Sequence, residues 1–237
     1  MASGCSQPLP GLPCTRFCTS TPAPGPGLAG DDHRGSHSRA LSDRFVRRWL
    51  QAAPGTRVLR RDVGRAPPAH VDHAWIEAAF AAPDEVTDAM RARLAESDQL
   101  IDELFAADVL VIGTALYNFG MPSTLKVWVD NVVRAERTVS IDPAKPSAYT
   151  SLLADRPRTA VVLAARGGHD QDPGGASAQL NHLEAQLRVA LEYIGIADMH
   201  TVAVEYQEDG GDLLADSVAR AGHAVDGLVD RLLAQRS

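Results

Sequence analysis

Asp108-Val-Leu-Val-Ile-Gly113, followed by Thr114-Ala-Leu-Tyr-Asn-Phe-Gly-Met-Pro-Ser123, contains a strand, a loop and the start of a helix in one short run. The first segment has no polar alternation, so both of its faces must be covered, as in an interior strand of a parallel sheet. Pro122-Ser123 then opens a helix, because proline's missing N–H has no intrahelical partner in a first turn anyway. Leu125, Trp128, Val129, Val132 and Val133 recur at helical spacing and form its apolar stripe.

The same pattern repeats outward. Downstream, Thr159 to Ala165 is a second interior strand, and it runs straight into Arg166-Gly167-Gly168. A helix from about Ser177 to Ile194 stops at Gly195, a strand covers Thr201 to Val204, and a last helix covers Asp212 to Leu233. Upstream, Leu41, Phe45, Trp49 and Leu50 follow Ser38 in an amphipathic helix that ends near Pro54-Gly55. A short strand, Thr56 to Arg61, leads to a long loop opened by Pro67-Pro68 that runs into Trp75, Ile76 and Phe80. A helix then occupies about Asp84 to Ala106. Strands alternating with helices imply parallel pairing through right-handed crossovers, hence a doubly wound α/β domain over residues 35–237. In such sheets ligands bind beyond the carboxyl ends of the strands, so the loops there are where chemistry is expected.

Composition bounds the partners. The 237 residues are 45% hydrophobic and 22% charged, the balance of one soluble globular domain. A net charge of −7 with dispersed arginines argues against a nucleic-acid backbone as partner. No apolar run approaches the roughly 20 residues that cross a bilayer, so no membrane partner is expected. Residues 1 to 30 hold six of the fifteen prolines and all three cysteines, Cys5, Cys14 and Cys18. That start is too broken by proline for a signal peptide and too irregular in cysteine spacing for a zinc or redox motif, so the body reads as cytoplasmic.

Three loops stand out. Gly35-Ser36-His37-Ser38-Arg39 opens the first helix, where free N–H groups and the positive end of the dipole suit a phosphate; the plain alternative is a serine cap. Leu116, Tyr117, Phe119 and Met121 are too apolar for a solvated connection. They fit either a flat apolar ligand, with Asn118 bonding a heterocycle edge, or a surface under a partner subunit. Ala165, Arg166, Gly167 and Gly168 let the backbone approach a ligand closely, with Arg166 facing a ring edge or an anion. Dinucleotide, nucleoside triphosphate and hydrolase fingerprints are absent. His33/His37 and His70/His73 lack a third ligand, so no metal is expected. His169-Asp170 could be an acid/base pair, but adjacent residues seldom face each other, and the plain alternative is solvated loop polarity.

Together these loops resemble the FMN-dependent NADH-azoreductase and NADH:quinone oxidoreductase family, a flavodoxin-like group. The resemblance is carried by Ser36-His-Ser-Arg-Ala-Leu-Ser-Asp-Arg-Phe45, Leu116-Tyr-Asn-Phe119 with Pro122-Ser-Thr-Leu-Lys126, Asp130-Asn-Val-Val-Arg-Ala135, Arg166-Gly-Gly168 and Tyr193-Ile-Gly-Ile196. It implies a five-stranded parallel sheet and a tightly but non-covalently bound FMN, with its phosphate on Ser36, His37 and Ser38. Leu116 to Phe119 would line the flavin, with Tyr117 and Phe119 as the substrate wall, and Ala165 to Gly168 would border its other edge. Ala165 departs from the hydroxyl residue frequent in the family. The resemblance further implies hydride transfer from NADH through the flavin to quinones and azo compounds. It also implies a homodimer whose interface would account for Trp128, and no catalytic side chain besides the flavin. An electron carrier of the flavodoxin type, and a flavin-free chain, are the alternatives.

The resemblance also demands an apolar first strand ending in Asp-Ala-Ser-Pro or similar, which residues 1–34 do not supply. They read as a low-complexity tail or as a frameshifted first strand. Back-translating Pro13 to Pro24 from the last base of the Pro13 codon gives NTG-YAC-NCG-NTT-YTG-YAC-NTC-NAC-NCC-NGC-NCC, which permits Met-His-Thr-Leu-Leu-His-Ile-Asp-Ala-Ser-Pro. In the sheet order 2-1-3-4-5 that strand is interior, so its loss would leave neighbouring backbone groups unpaired at about 1 to 3 kcal/mol each.

Overall fold

The computed structural model describes residues 16–20, 35–142, 144 and 148–236. In chain order the elements are β1 (Arg16–Ser20), α1 (His37–Ala52), β2 (Arg57–Arg61), α2 (His73–Phe80), α3 (Asp88–Ala106), β3 (Val109–Ala115), α4 (Ser123–Val132), β4 (Val139–Ile141), β5 (Tyr149–Ser151), β6 (Thr159–Ala165), α5 (Leu183–Ile194), β7 (Asp198–Val204) and α6 (Gly211–Ala234). Five parallel strands form one sheet in the order β2-β1-β3-β6-β7, the doubly wound order expected.

Strand alternation divides the core into two layers. Val109, Val111, Val161, Leu163 and Val204 pack with α1 and α6. Leu110, Ile112, Ala160, Val162 and Ala164 pack with α3, α4 and α5. Both faces of β3 and β6 are thus covered, which is why these strands read as unbroken apolar runs. Trp128 belongs to the second layer and is fully buried within the protomer, so the expected interface role is corrected.

One glycine sets the placement of α1. A Cβ on Gly113 would collide with Ser42 Oγ and stand 3.0 Å from the Ser38 carbonyl oxygen. Its absence lets the first turns of α1 lie directly on β3, beside the loop that follows that strand.

Four boundaries differ from expectation, each for a local reason. β7 starts at Asp198, three residues early, because Asp198 to His200 pair with Thr159 to Val161. The loop through Trp75 is partly the helix α2: Asp72 caps it by accepting from Trp75 N at 2.8 Å, and Trp75 and Ala78 pack on Leu94 and Met90. α3 starts at Asp88, where Thr87 Oγ1 accepts from Met90 N at 3.2 Å. α5 starts at Leu183, because residues 178–180 form a short 3-10 turn and Asn181 Oδ1 accepts from Leu183 N. The β4–β5 hairpin, which had no sequence signal strong enough to place it, sits inside the α4–β6 crossover.

The expectation that the first strand is missing or altered is corrected in its first part: a strand is present. β1 occupies the interior slot, with Phe17 to Ser20 in register with Val109 to Ile112 of β3 and Arg16 to Ser20 in register with Arg57 to Arg61 of β2. The remainder of the expected tail, residues 1–15 and 21–34, lies outside the described residues.

Candidate active site at the carboxyl edge of the sheet

Beyond β3 the chain closes a two-residue turn. Tyr117 N donates to Gly120 O at 3.0 Å and Gly120 N donates back to Tyr117 O at 2.9 Å. Asn118 and Phe119 between them have φ of 46° and 69°, the signs of a type I′ turn. Asparagine tolerates this region, whereas phenylalanine pays about 1 kcal/mol for it. The conformation is held from outside, since Phe119 O accepts from His182 N at 2.9 Å. The Phe119 ring is left 54% exposed.

Beyond β6 the carbonyls of Arg166, Gly167 and Gly168 accept from Gln207, Glu208 and Tyr206 N, which continues the β6–β7 pairing past the strand ends. Among the described residues the amides of Gly167 and Gly168 have no acceptor, so two adjacent donors remain for a ligand. A Cβ on Gly167 would strike the Glu208 carboxylate, so only glycine lets that side chain lie against the loop.

The Arg166 side chain faces anions of the protein itself and not a ring edge. Its side chain is 1% exposed and its guanidinium bonds Asp172 at 2.8 Å, Glu205 at 2.9 Å and Glu184 at 2.8 Å. Burial alone would lower its pKa, but the Glu184 and Asp172 carboxylates outweigh that and hold the charge in place. Glu205 also accepts from the amides of Asp170 and Gln171. The cluster ties the end of β6, the start of α5 and the end of β7 into one support beneath the glycine pair.

Between the two loops lies a cavity of about 370 Å³, walled by Leu116, Asn118, Phe119, Gly167, Gly168 and Glu208. That size suits a small molecule, and its mix of apolar walls with a few polar groups is usual for one. His169, Gln171, Ser177 and Leu180 complete the wall. Strain gathers here: Asp170 and Tyr206 join Asn118 and Phe119 at positive φ. The His169 and Tyr206 rings stack at 4.7 Å, and His169 Nδ1 stands 3.1 Å from Asp170 Oδ2, so the two neighbours do meet.

At the start of α1, Ser36 is the N-cap and accepts from Arg39 N at 3.3 Å, while its hydroxyl also lies 3.0 Å from that of Ser38. Burial lowers the pKa of His37, which favours a neutral imidazole that offers a hydrogen bond rather than a charge. Arg39 is committed to Asp62 through two bonds of 2.7 and 3.0 Å.

A flat heteroaromatic with a phosphate tail fits these residues: apolar walls for the ring, glycine amides and Asn118 for its polar edge, and a helix start for the anion. A model of the flavodoxin-like fold family matches residues 28–227. An FMN-dependent NAD(P)H:quinone oxidoreductase of Pseudomonas aeruginosa is 43% identical over 188 residues, which cover 78% of this chain and 88% of that protein. The chain belongs to the FMN-dependent NADH:quinone oxidoreductase family. Another family member, the FMN-dependent NADH:quinone oxidoreductase of Opitutus terrae, is 39% identical over 84% of this chain and 92% of its own length. In fold the chain is similar to an azoreductase of Bacillus anthracis, with a TM-score of 0.77 at 20% identity, covering 92% of this chain and 99% of that one.

Of the site residues expected for this family, the cavity collects Leu116, Asn118, Phe119, Gly167 and Gly168. Tyr117 sits on the turn just outside the wall, partly exposed, and burial of the rest raises its pKa. Ala165 is buried and its carbonyl accepts from Leu116 N at 2.9 Å, which locks the two site loops together. Sequence reasoning missed Glu208, Gln171 and Leu180. The first arrives from the β7–α6 loop, about forty residues from the glycine pair, and no local pattern in the chain announces it.

Proposed function

We infer that the protein is an FMN-dependent oxidoreductase that passes a hydride from NADH to quinones, and to azo compounds, by alternate visits of donor and acceptor to one face. The observation that carries the reading is the cavity between the Leu116–Phe119 turn and the unpartnered Gly167 and Gly168 amides, in a chain of this family. Bound FMN supplies the two-electron chemistry. The chain's own residues do the rest. Ser36, His37 and Ser38 hold the phosphate at the helix start. Leu116 and Phe119 exclude water from the ring, and Asn118 and the glycine amides fix its polar edge. Tyr117 and Phe119 form the wall on which the acceptor stacks. Arg166 supports the glycine loop instead of touching the ligand.

The test is direct. Purified protein should be yellow, or turn so on adding FMN, and should oxidise NADH with benzoquinone, giving parallel double-reciprocal lines. A product that stays colourless with added FMN overturns the reading; flavin binding without NADH turnover would move it to an electron carrier.

A second copy is proposed to cover the apolar groove between α4 and α5, about 540 Å³, lined by Met121, Val129, Val133, Val189 and Tyr193. Val189 is 69% exposed there, and Met121 joins the groove to the site turn. Sedimentation should give a homodimer that Val189→Asp dissociates; an active wild-type monomer removes the dimer. The use of NADH supports a cytoplasmic setting for the proposed reaction. No helix among the described residues is long and apolar enough to cross a membrane.

A further inference from the structure

We propose that the functional first strand is encoded one base out of the frame that gives Arg16–Ser20. Three independent observations converge on those residues.

The first is the register. β1 lies between β2 and β3, paired along its length with Val109 to Ile112, all of them buried. Interior parallel strands are covered on both faces and read as apolar runs, as β3 and β6 do here. Arg-Phe-Cys-Thr-Ser, with an arginine and two hydroxyl residues in five, is not such a run.

The second is the extent of similarity. The family match begins at residue 28, after β1, although relatives are matched over 88% and 92% of their own lengths. The slot is filled in the fold but its sequence is not the family's.

The third is the genetic code. Reading from the last base of one codon puts the first base of the next codon in the middle position. A codon centred on T encodes Phe, Leu, Ile, Met or Val, whatever bases flank it. Phe17 and Cys18 have codons that begin with T, and so does Ser20 in its TCN form. The shifted triplets NTT, YTG and NTC therefore fall at the Arg16/Phe17, Phe17/Cys18 and Thr19/Ser20 junctions, inside the window that forms β1. Apolar residues are obligatory at the first two of these places, and at the third when Ser20 uses a TCN codon. The next triplets, NAC, NCC, NGC and NCC, admit Asn, Asp, Ser, Gly and Pro, the residues of a turn. From Gly35 onward the written frame gives a continuous fold, so the frame returns between Pro24 and Gly35.

The test uses the natural gene and protein. Resequencing codons 1 to 35, together with mass spectrometry of tryptic peptides from the protein purified from its own cells, should yield the apolar strand sequence and a one-base difference that joins the frames. A confirmed DNA sequence together with a peptide beginning Phe17-Cys-Thr-Ser overturns the proposal. Expressed side by side, the shifted chain should melt cooperatively at higher temperature and bind FMN at least tenfold tighter than the chain as written. Equal melting and equal FMN affinity, or a shifted chain that fails to fold, also overturn it. The inference rests on the fold: a shifted chain that melts cooperatively yet binds no FMN would remove the functional reading and leave the frame standing.

Discussion

Arg166 and Phe119 show how single residues shape this site without doing chemistry. Removing a buried charge's partner leaves uncompensated charge, at a cost of about 3 to 5 kcal/mol. Arg166→Met would strand Glu184 and Glu205. It should lower the melting temperature and release FMN. Arg166→Lys keeps the charge but loses the fork that reaches three carboxylates. It should fold and still bind FMN more weakly, as measured by fluorescence titration of the apoprotein; unchanged affinity would show that the cluster does not position the glycine loop. Phe119→Gly relieves a left-handed backbone and removes the exposed ring. Stability should rise by about 1 kcal/mol while KM for the quinone rises; a fall in both would mean that the ring packs on the protein rather than on the acceptor. Gly167-Gly168 was legible in the sequence as a close-approach site. The carboxylate cluster around Arg166 was not, because its partners Glu184 and Glu205 stand 18 and 39 residues away and only folding brings them in.

At the scale of elements, β3 and β6 were readable because burial on both faces removes polar alternation, and α1 and α4 because a single apolar stripe faces the sheet. α2 was not, since its eight residues after Pro67-Pro68 are stabilised by the Asp72 cap and a small satellite core, not by a long periodic stripe. The contact between α1 and β3 can be tested. Gly113→Ala forces a methyl into Ser42 Oγ and toward the Ser38 carbonyl, and should cost about 1 to 3 kcal/mol in denaturant melts. Because the proposed phosphate loop opens α1, FMN affinity should fall with it. Ser42→Ala in the same chain should restore part of both. Full stability in the single variant would mean that α1 does not bear on Gly113.

The whole molecule is tied across its surface by arginine–aspartate pairs. At Asp62 burial raises the pKa, but the Arg39 hydrogen bonds and charge outweigh it and hold the carboxyl below its ordinary value. The hydrogen bond from Arg44 does the same for Asp226, and that from Arg158 for Asp155. A carboxyl with a depressed folded pKa lends stability that is complete above its unfolded value and disappears as pH falls through the folded one. The protein should therefore lose stability progressively below about pH 3.8, the ordinary aspartate value. Asp62→Asn should lower stability at neutral pH and flatten the acid limb of the curve; an unchanged limb would remove Asp62 from the account. Composition alone gave only the net charge, and could not say which of the acidic residues were paired.

The half-bare ring of Phe119 also bears on how the natural acceptor is to be found. Apolar surface left in water is worth about 25 cal/mol per Å² to whatever covers it. A compound that binds only the folded chain raises its apparent stability by about 2.7 kcal/mol at a hundredfold excess over Kd. Melting-temperature screens of candidate quinones and dyes against the oxidised protein, without NADH, should therefore rank the acceptors by fit alone, independently of how fast each is reduced.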